Sequence, residues 1–375
     1  MPFKAYNELT YKVALAMLRG ATCDVVRRMQ EYDVTPEEFF NTEQTRLTEL
    51  LECRPLECFD TTYREEALRK ASKEEEFINR HNIHALLLGD KGYPVRMESC
   101  HSAPILLFKL GDCDLNGEHN VGVVGTRKIT PYGADTGRKL IKELGEYFPD
   151  ITIWSGLAFG ADAVAHTTAL DEGRATVAVV AHGLHTIYPA AHRDLARRIV
   201  KNGGAIVSEY PSGTSAYRGR FLERNRIVAW STDATIVLES EIKGGAMSTA
   251  NHAFQENRDV FALPGRANDP MSAGCNHVIR KQKAGLITAA ADLIEVTGWR
   301  PAGVAVSPKM RCLFPELEGE GKAVYDALRM ADEPLSLDMI HMATGLPIAT
   351  LLGTLTELEF DSVVIKHPGN RYSPA

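Results

Sequence analysis

No apolar run in this 375-residue chain approaches the length that crosses a bilayer as a helix. The opening stretch, MPFKAYNELTYK, also lacks the apolar core of a secretion signal. Both absences point to a cytoplasmic protein with no membrane partner. Seven cysteines (Cys23, Cys53, Cys58, Cys100, Cys113, Cys275 and Cys312) are scattered without a CxxC pair, which fits free thiols rather than a disulfide framework or a zinc site. His81 and His84 are spaced HxxH, but two histidines alone are too few to define a metal site. The GxGxxG fingerprint of a dinucleotide site is missing, and Ser155 lacks the glycine two residues earlier that a GxSxG nucleophile elbow requires. No nucleophile is set beside a base and no ligand cluster stands out, so the expectation is binding without catalysis, cofactor or metal.

A hydrophobic fraction of 44% supplies a sizeable core, and the length exceeds one usual domain. The net charge of -7 is unevenly spread: residues 1–75 carry -4, residues 316–375 carry -6, and residues 76–315 carry +3. The middle of the chain is therefore the part suited to a polyanion, which whole-chain charge conceals.

That middle has a regular rhythm. Val121 to Val124 is a short β-branched run ending at Gly125, and Pro131 opens a helical pattern with Leu140, Ile141 and Leu144 on one side. Ile151 to Trp154 ends at Ser155-Gly156, and a second helix opens near Asp162. Further strand-like runs at 176–180, 205–208, 234–238 and 260–263 alternate with helical patterns at 191–200, 221–229 and 246–254. Such alternation predicts a doubly wound, mostly parallel sheet, whose ligands gather beyond the carboxyl ends of the strands.

Four turns there carry chemistry. Gly125 and Thr126, followed by Arg127 and Lys128, place cations where the first strand meets its helix. The alternative is a solvated charge pair. Ser155, Gly156 and Gly160 in SGLAFGAD allow close backbone approach by a phosphate or another strand. Asp162 reads as a helix cap and His166 as a packing residue. Tyr217 to Arg226, YRGRFLERNR, interleaves Arg218, Arg220, Arg224 and Arg226 with Phe221 and Asn225, the mixture of guanidinium, ring and amide that a single strand of nucleic acid uses. Lys243, Gly244, Gly245 and Ser248 form an anion-accepting turn before a helix, or else a plain capped glycine turn.

Around this centre, residues 1–75 read as a small helical domain, with Thr35-Pro36-Glu37-Glu38 a good helix start, and two apolar strands lead into the domain at 76–299. Residues 300–316 read as a Pro/Gly-rich linker, and 317–375 has the outline of a winged helix: three helices, then a hairpin turning at Gly369-Asn370. Its third helix, PIATLLGTLTELEF, has no Arg, Lys, Asn or Gln with which to read bases, so a packing or protein-contact role is expected.

Taken in order, VGTR, SGLAFGAD, HGLHTIYP, SEYP, FLERNRIVA, the glycine turn at 244–250, ALPG and GCNHVI resemble the successive signatures of the bacterial DNA-processing protein A family, also called DprA or Smf, from about Tyr93 to Trp299. The resemblance implies an extended Rossmann-like domain, and the helical domain at 1–75 is similar in size to the family's sterile-alpha-motif-like domain but lacks a clear glycine hairpin of the DNA-binding kind. The resemblance also implies homodimerisation, binding of single-stranded DNA without sequence preference, and loading of the RecA recombinase during natural transformation and recombination. Carried onto this chain, the family's basic pocket falls on Arg127, Arg218, Phe221 and Lys243, with Arg224, Asn225 and Arg226 inside the same motif. The chain departs from the family at Ala181-His182, where a glycine is usual. The competing reading is a Rossmann-like nucleotide or sugar-phosphate hydrolase using Glu239 or Glu209, against which stands the absence of a PGGxGTxxE run.

Overall fold

The computed structural model describes residues 6–301, 317, 319–331, 333–361 and 363–374. Most of the expected linker, residues 302–316, lies outside the described residues.

The chain begins with a helical bundle, α1 (Glu8–Met17), α2 (Cys23–Glu31), α3 (Pro36–Asn41), α4 (Gln44–Leu50) and the long α5 (Thr61–Arg80). The Thr35-Pro36-Glu37-Glu38 start is a capping box: the Thr35 hydroxyl accepts from the Glu38 amide, and the Glu38 carboxylate accepts from the Thr35 amide. Next come β1 (Ile83–Leu87), α6 (Val95–Glu98) and β2 (Leu106–Leu110), which form an antiparallel ribbon.

The alternating rhythm of the middle becomes β3 (Asn120–Val124), α7 (Pro131–Tyr147), β4 (Thr152–Ser155), α8 (Ala161–Asp171), β5 (Ala175–Val179), α9 (Arg193–Lys201), β6 (Ala205–Ser208), α10 (Arg218–Trp230), β7 (Ala234–Val237), α11 (Gly245–Gln255) and β8 (Asp259–Ala262). It closes with α12 (Ala273–Arg280), the short β9 (Gly285–Leu286) and α13 (Ala290–Thr297). The nine strands lie in the order β1-β2-β6-β5-β4-β3-β7-β8-β9, parallel from β6 onward. Only β1–β2 and β2–β6 are antiparallel. From β3 the chain steps outward to β6 and then returns to β7 on the other side of β3. Loops leaving β3 and β7 thus diverge, which is the topology that opens a crevice at the carboxyl ends of a parallel sheet.

Both faces of the sheet are covered, as near-continuous apolar strands require. One layer packs Leu140, Ile141 and Leu144 of α7 and Ala165 of α8 on Val121, Val123 and Ile153. On the other face Trp154, Ile227 and Trp230 join a cluster that continues without a break through Phe108 and Tyr93 into Leu15 and Phe39 of the helical bundle. Residue 75, taken from sequence as the end of the first domain, falls within α5.

The last segment has its own core of Val324, Leu328, Ile340, Leu351, Leu355 and Tyr372. Its elements are α14 (Gly319–Arg329), β10 (Leu335–Ser336), α15 (Leu337–Thr344), α16 (Ile348–Phe360), β11 (Val364–His367) and β12 (Arg371–Pro374). Ser336 caps α15, and Gly369 and Asn370 take the positive φ values that a tight hairpin turn demands. No single described helix is long and apolar enough to cross a membrane.

At the amino ends of the strands, Asp233 is 4% exposed and bonded twice, to the Arg96 guanidinium at 2.6 Å and the Asn120 amide at 2.9 Å. The Asn120 side chain in turn accepts from the Trp154 indole at 2.7 Å. Removing the cation leaves a buried carboxylate unpaired, so Arg96→Met is expected to lower unfolding free energy by about 3 kcal/mol. Urea denaturation of the two proteins at pH 7 measures it.

Candidate nucleic-acid interface

The crevice is assembled from the turns after β3, β4, β5 and β7 and from the first half of α10. Gly125 ends β3 in close quarters: a Cβ there would lie 2.6 Å from Ala161 Cβ and 3.0 Å from the Glu239 carbonyl oxygen. The next amide, Thr126, donates to that same carbonyl at 2.7 Å. Thr130 caps α7, its hydroxyl accepting from Gly133 and donating to Glu239, while its amide donates to the Glu239 carboxylate at 2.9 Å. The positive end of α7 therefore already holds an anion supplied by the chain itself. What this turn offers outward is the exposed side chains of Arg127 and Lys128.

The turn after β4 folds onto the first one. Gly160, with φ +76°, lies so close that a Cβ would meet the Thr126 and Arg127 carbonyl oxygens, and the Ala161 amide donates to Thr126. Ser155 faces inward, fully buried, donating to the Val123 carbonyl at 2.6 Å. Asp162 is not the capping position, which belongs to Gly160. Its buried carboxylate accepts from the Ala158 amide, and desolvation raises its pKa with the Arg224 charge opposing.

Arg224 is the unexpected member. It is 5% exposed, donates to the Val179 carbonyl at 3.0 Å and lies directly under Gly156, where a Cβ would be 1.7 Å from its Nη1. It braces the crevice floor and does not project from it. Phe221, one turn earlier on α10, sits above. The Arg127 guanidinium lies 5.3 Å from the Phe221 ring centre, and the Tyr188 ring packs against the same ring, with centres 5.7 Å apart. Arg218 begins α10 as an exposed cation, and Arg220 stacks between Tyr217 and Tyr210 at 4.6 and 5.2 Å. Asn225 donates to the Gly245 carbonyl at 3.2 Å, tying α10 to the glycine turn.

In that turn Gly244 is crowded by Ser240, Gly245 has open space where a side chain would be, Lys243 is exposed and Ser248 is partly buried. Arg226 points elsewhere: it pairs with Glu209 at 2.5 Å and lies over Trp230. Sequence reading passed over Tyr188 and Phe159, both about half exposed, because inside HGLHTIYP and SGLAFGAD nothing marks a ring as outward-facing.

Neither carboxylate of the hydrolase reading is free. Glu239 is 2% exposed and bonded to Thr130, and Glu209 is paired with Arg226. Among the described residues, Glu118, His119 and Asp150 bring metal-capable atoms within 4.8 Å of one another. They lie at the amino ends of β3 and β4, across the sheet from the arginines, and His119 is packed between Phe148 and Trp299.

A doubly wound sheet with a switch-point crevice beside arginines and exposed rings defines a Rossmann-like protein. Residues 84–298 match the model of DNA recombination-mediator protein A, and residues 314–370 match the DprA winged helix domain. The chain belongs to the DNA recombination-mediator protein A family. It is 30% identical over 294 residues to Protein Smf of Escherichia coli, covering 78% of each chain, and 38% identical over 205 residues to DNA processing protein DprA of Streptococcus pneumoniae, covering 55% of this chain and 71% of that one. The X-ray structure of the S. pneumoniae protein superposes with a TM-score of 0.63 at 31% identity, covering 78% of this chain and 98% of that one. A DNA processing protein A from Helicobacter pylori, described for its single-stranded DNA binding mode, gives a TM-score of 0.51 at 30% identity, covering 57% of this chain and 94% of that one.

Two expectations test the crevice floor. Gly156→Ala forces Arg224 off the Val179 carbonyl and should lower the thermal midpoint by several degrees, a loss of roughly 2 kcal/mol, read by calorimetry. Beneath the same turn, the Thr176 hydroxyl donates to Ile153, so His166 Nδ1 must donate to Thr176, leaving Nε2 a lone pair without a partner. Burial, helped by His192 and Arg224, pushes this imidazole down to about 3. The unfolded chain takes up the proton near pH 6.5, so the contribution of His166 is complete above that pH and is lost as pH falls toward 3. Asp162, shifted upward, acts in the opposite sense. His166→Gln should therefore show a smaller drop in urea midpoint than the parent between pH 7 and pH 5.

Proposed function

We propose that this protein binds single-stranded DNA without sequence preference, loads the RecA recombinase onto it during DNA uptake and recombination, and acts as a cytoplasmic homodimer with no catalytic activity of its own. The observation that carries the reading is the stack of exposed Arg127 on half-buried Phe221, with exposed Tyr188 beside that ring, at the switch point of the sheet. A guanidinium there meets phosphates and a ring meets any base, because every base has a π-face. Arg218 at the start of α10 and Lys243 at the glycine turn extend the positive surface on two sides. The relative from H. pylori, named for its single-strand binding, supports the same assignment.

Homodimerisation is placed on the segment between Ala229 and Leu286. It ends in the two-residue edge strand β9, where Leu286 and nearby Phe254 are exposed. Two crevices on one strand raise affinity through effective concentration. RecA loading rests on family membership. Glu239 and Glu209, the carboxylates a hydrolase would need here, are both engaged by neighbouring residues, which favours binding over hydrolysis.

Fluorescence anisotropy of labelled single-stranded and duplex oligonucleotides across a salt series tests the reading. The expected result is single-strand preference, with Arg127→Ala and Lys243→Ala each weakening binding and each reducing the slope of log K against log salt by about 0.7. Equal, weak binding of both nucleic acids would refute it.

A further inference from the structure

The turn after β4 holds a ring that the reading above does not use. Phe159 is 48% exposed, while Leu157 two residues before it is fully buried and Ala161 two residues after it likewise. Its backbone is fastened on both sides: the Ala158 amide is held by Asp162 at 3.1 Å, and Gly160 is pressed onto the carbonyls of Thr126 and Arg127. The ring itself is steadied by His192, whose centre lies 4.7 Å away at 65°. His192 is fixed in turn by a 2.8 Å bond from Nδ1 to the Leu157 carbonyl. The result is an ordered aromatic ring, braced at its edge and open to solvent. Gly160, the next residue, abuts the Thr126 and Arg127 carbonyls, so the ring stands on the turn that adjoins the Arg127 turn.

The geometry points to Phe159 as a second base-stacking platform, so that a single strand crossing the crevice sets one base on Phe221, a phosphate on Arg127 and a neighbouring base on Phe159. This rests on the single-strand reading of the crevice. An exposed, braced ring on a turn packed against the turn of Arg127 and Lys128 suits an unstacked base better than a protein side chain, since those exposed cations can meet the phosphates that a strand brings with it. His192 is then a positioning residue: it holds the ring and touches no base.

The test pairs protein variants with thymidine oligonucleotides carrying one abasic position, moved along the strand. Phe159→Ala should weaken binding on the order of tenfold at every salt concentration. The slope of log K against log salt should stay unchanged, because no phosphate contact is lost, in contrast to Arg127→Ala. At one abasic position the penalty of Phe159→Ala should vanish, and at a neighbouring position the penalty of Phe221→Ala should vanish instead. Phe159→Trp should restore affinity and have its emission quenched by the oligonucleotide, which guards against a turn that simply misfolds in the alanine variant. Parent protein that binds the strand while Phe159→Ala binds equally well, or loses the same factor at every abasic position, overturns the platform alone. Parent protein that does not bind the strand overturns the single-strand reading, and the platform with it.

Discussion

A full positive charge lies buried at the carboxyl ends of β4 and β5, and the crevice is built on top of it. Arg224 comes from α10, bonds the last carbonyl of β5 and occupies the space that Gly156 leaves empty after β4. Placing a guanidinium under a backbone turn is costly unless it is paired. The Val179 carbonyl and the neighbouring charge of Asp162 provide that pairing. Because α10 is pinned through Arg224, the residues one turn earlier have a fixed height above the sheet. The contact of Phe221 with Arg127 depends on that height.

A second internal charge shapes what the crevice can accept. Rossmann-like sheets commonly hold a ligand phosphate at the first helix amino terminus. Here the Glu239 carboxylate fills that position, bonded to Thr130 and closed in by Gly133, where a Cβ would be 2.5 Å from the carboxyl carbon. What remains available to an outside anion is the exposed side chains of Arg127 and Lys128, and side chains on long stems tolerate a long, irregular polyanion more readily than a backbone cradle shaped for one phosphate.

Much of the fold was legible. The β-branched runs and the turn residues after them located β3 through β8 to within a residue, because buried parallel strands read as continuous apolar stretches. The two-residue β9 and the helices flanking it were not, since so short a strand has no periodicity to read. The site was half legible. Charge and motif order picked out Arg127 and Phe221, which touch, and Arg218 and Lys243, which are exposed, but gave no means of telling the outward Arg218 from the buried Arg224 or the Glu209-bound Arg226. One helix distributes four arginines to four environments, and only tertiary packing decides which. The same limit hid Phe159 and Tyr188, whose exposure is a property of the turn and not of the residue type.

The pairing of β2 with β6 sets Phe108 opposite Ser208, one hundred residues further along the chain. During synthesis the helical bundle and the β1–β2 ribbon leave the ribosome long before their partner strand exists. Their shared apolar layer, with Phe108 and Tyr93 at its centre, then stays uncovered until the parallel strands have formed. At this edge the closing of the sheet therefore trails translation: β2 has no partner on its β6 side until residue 208 has been made.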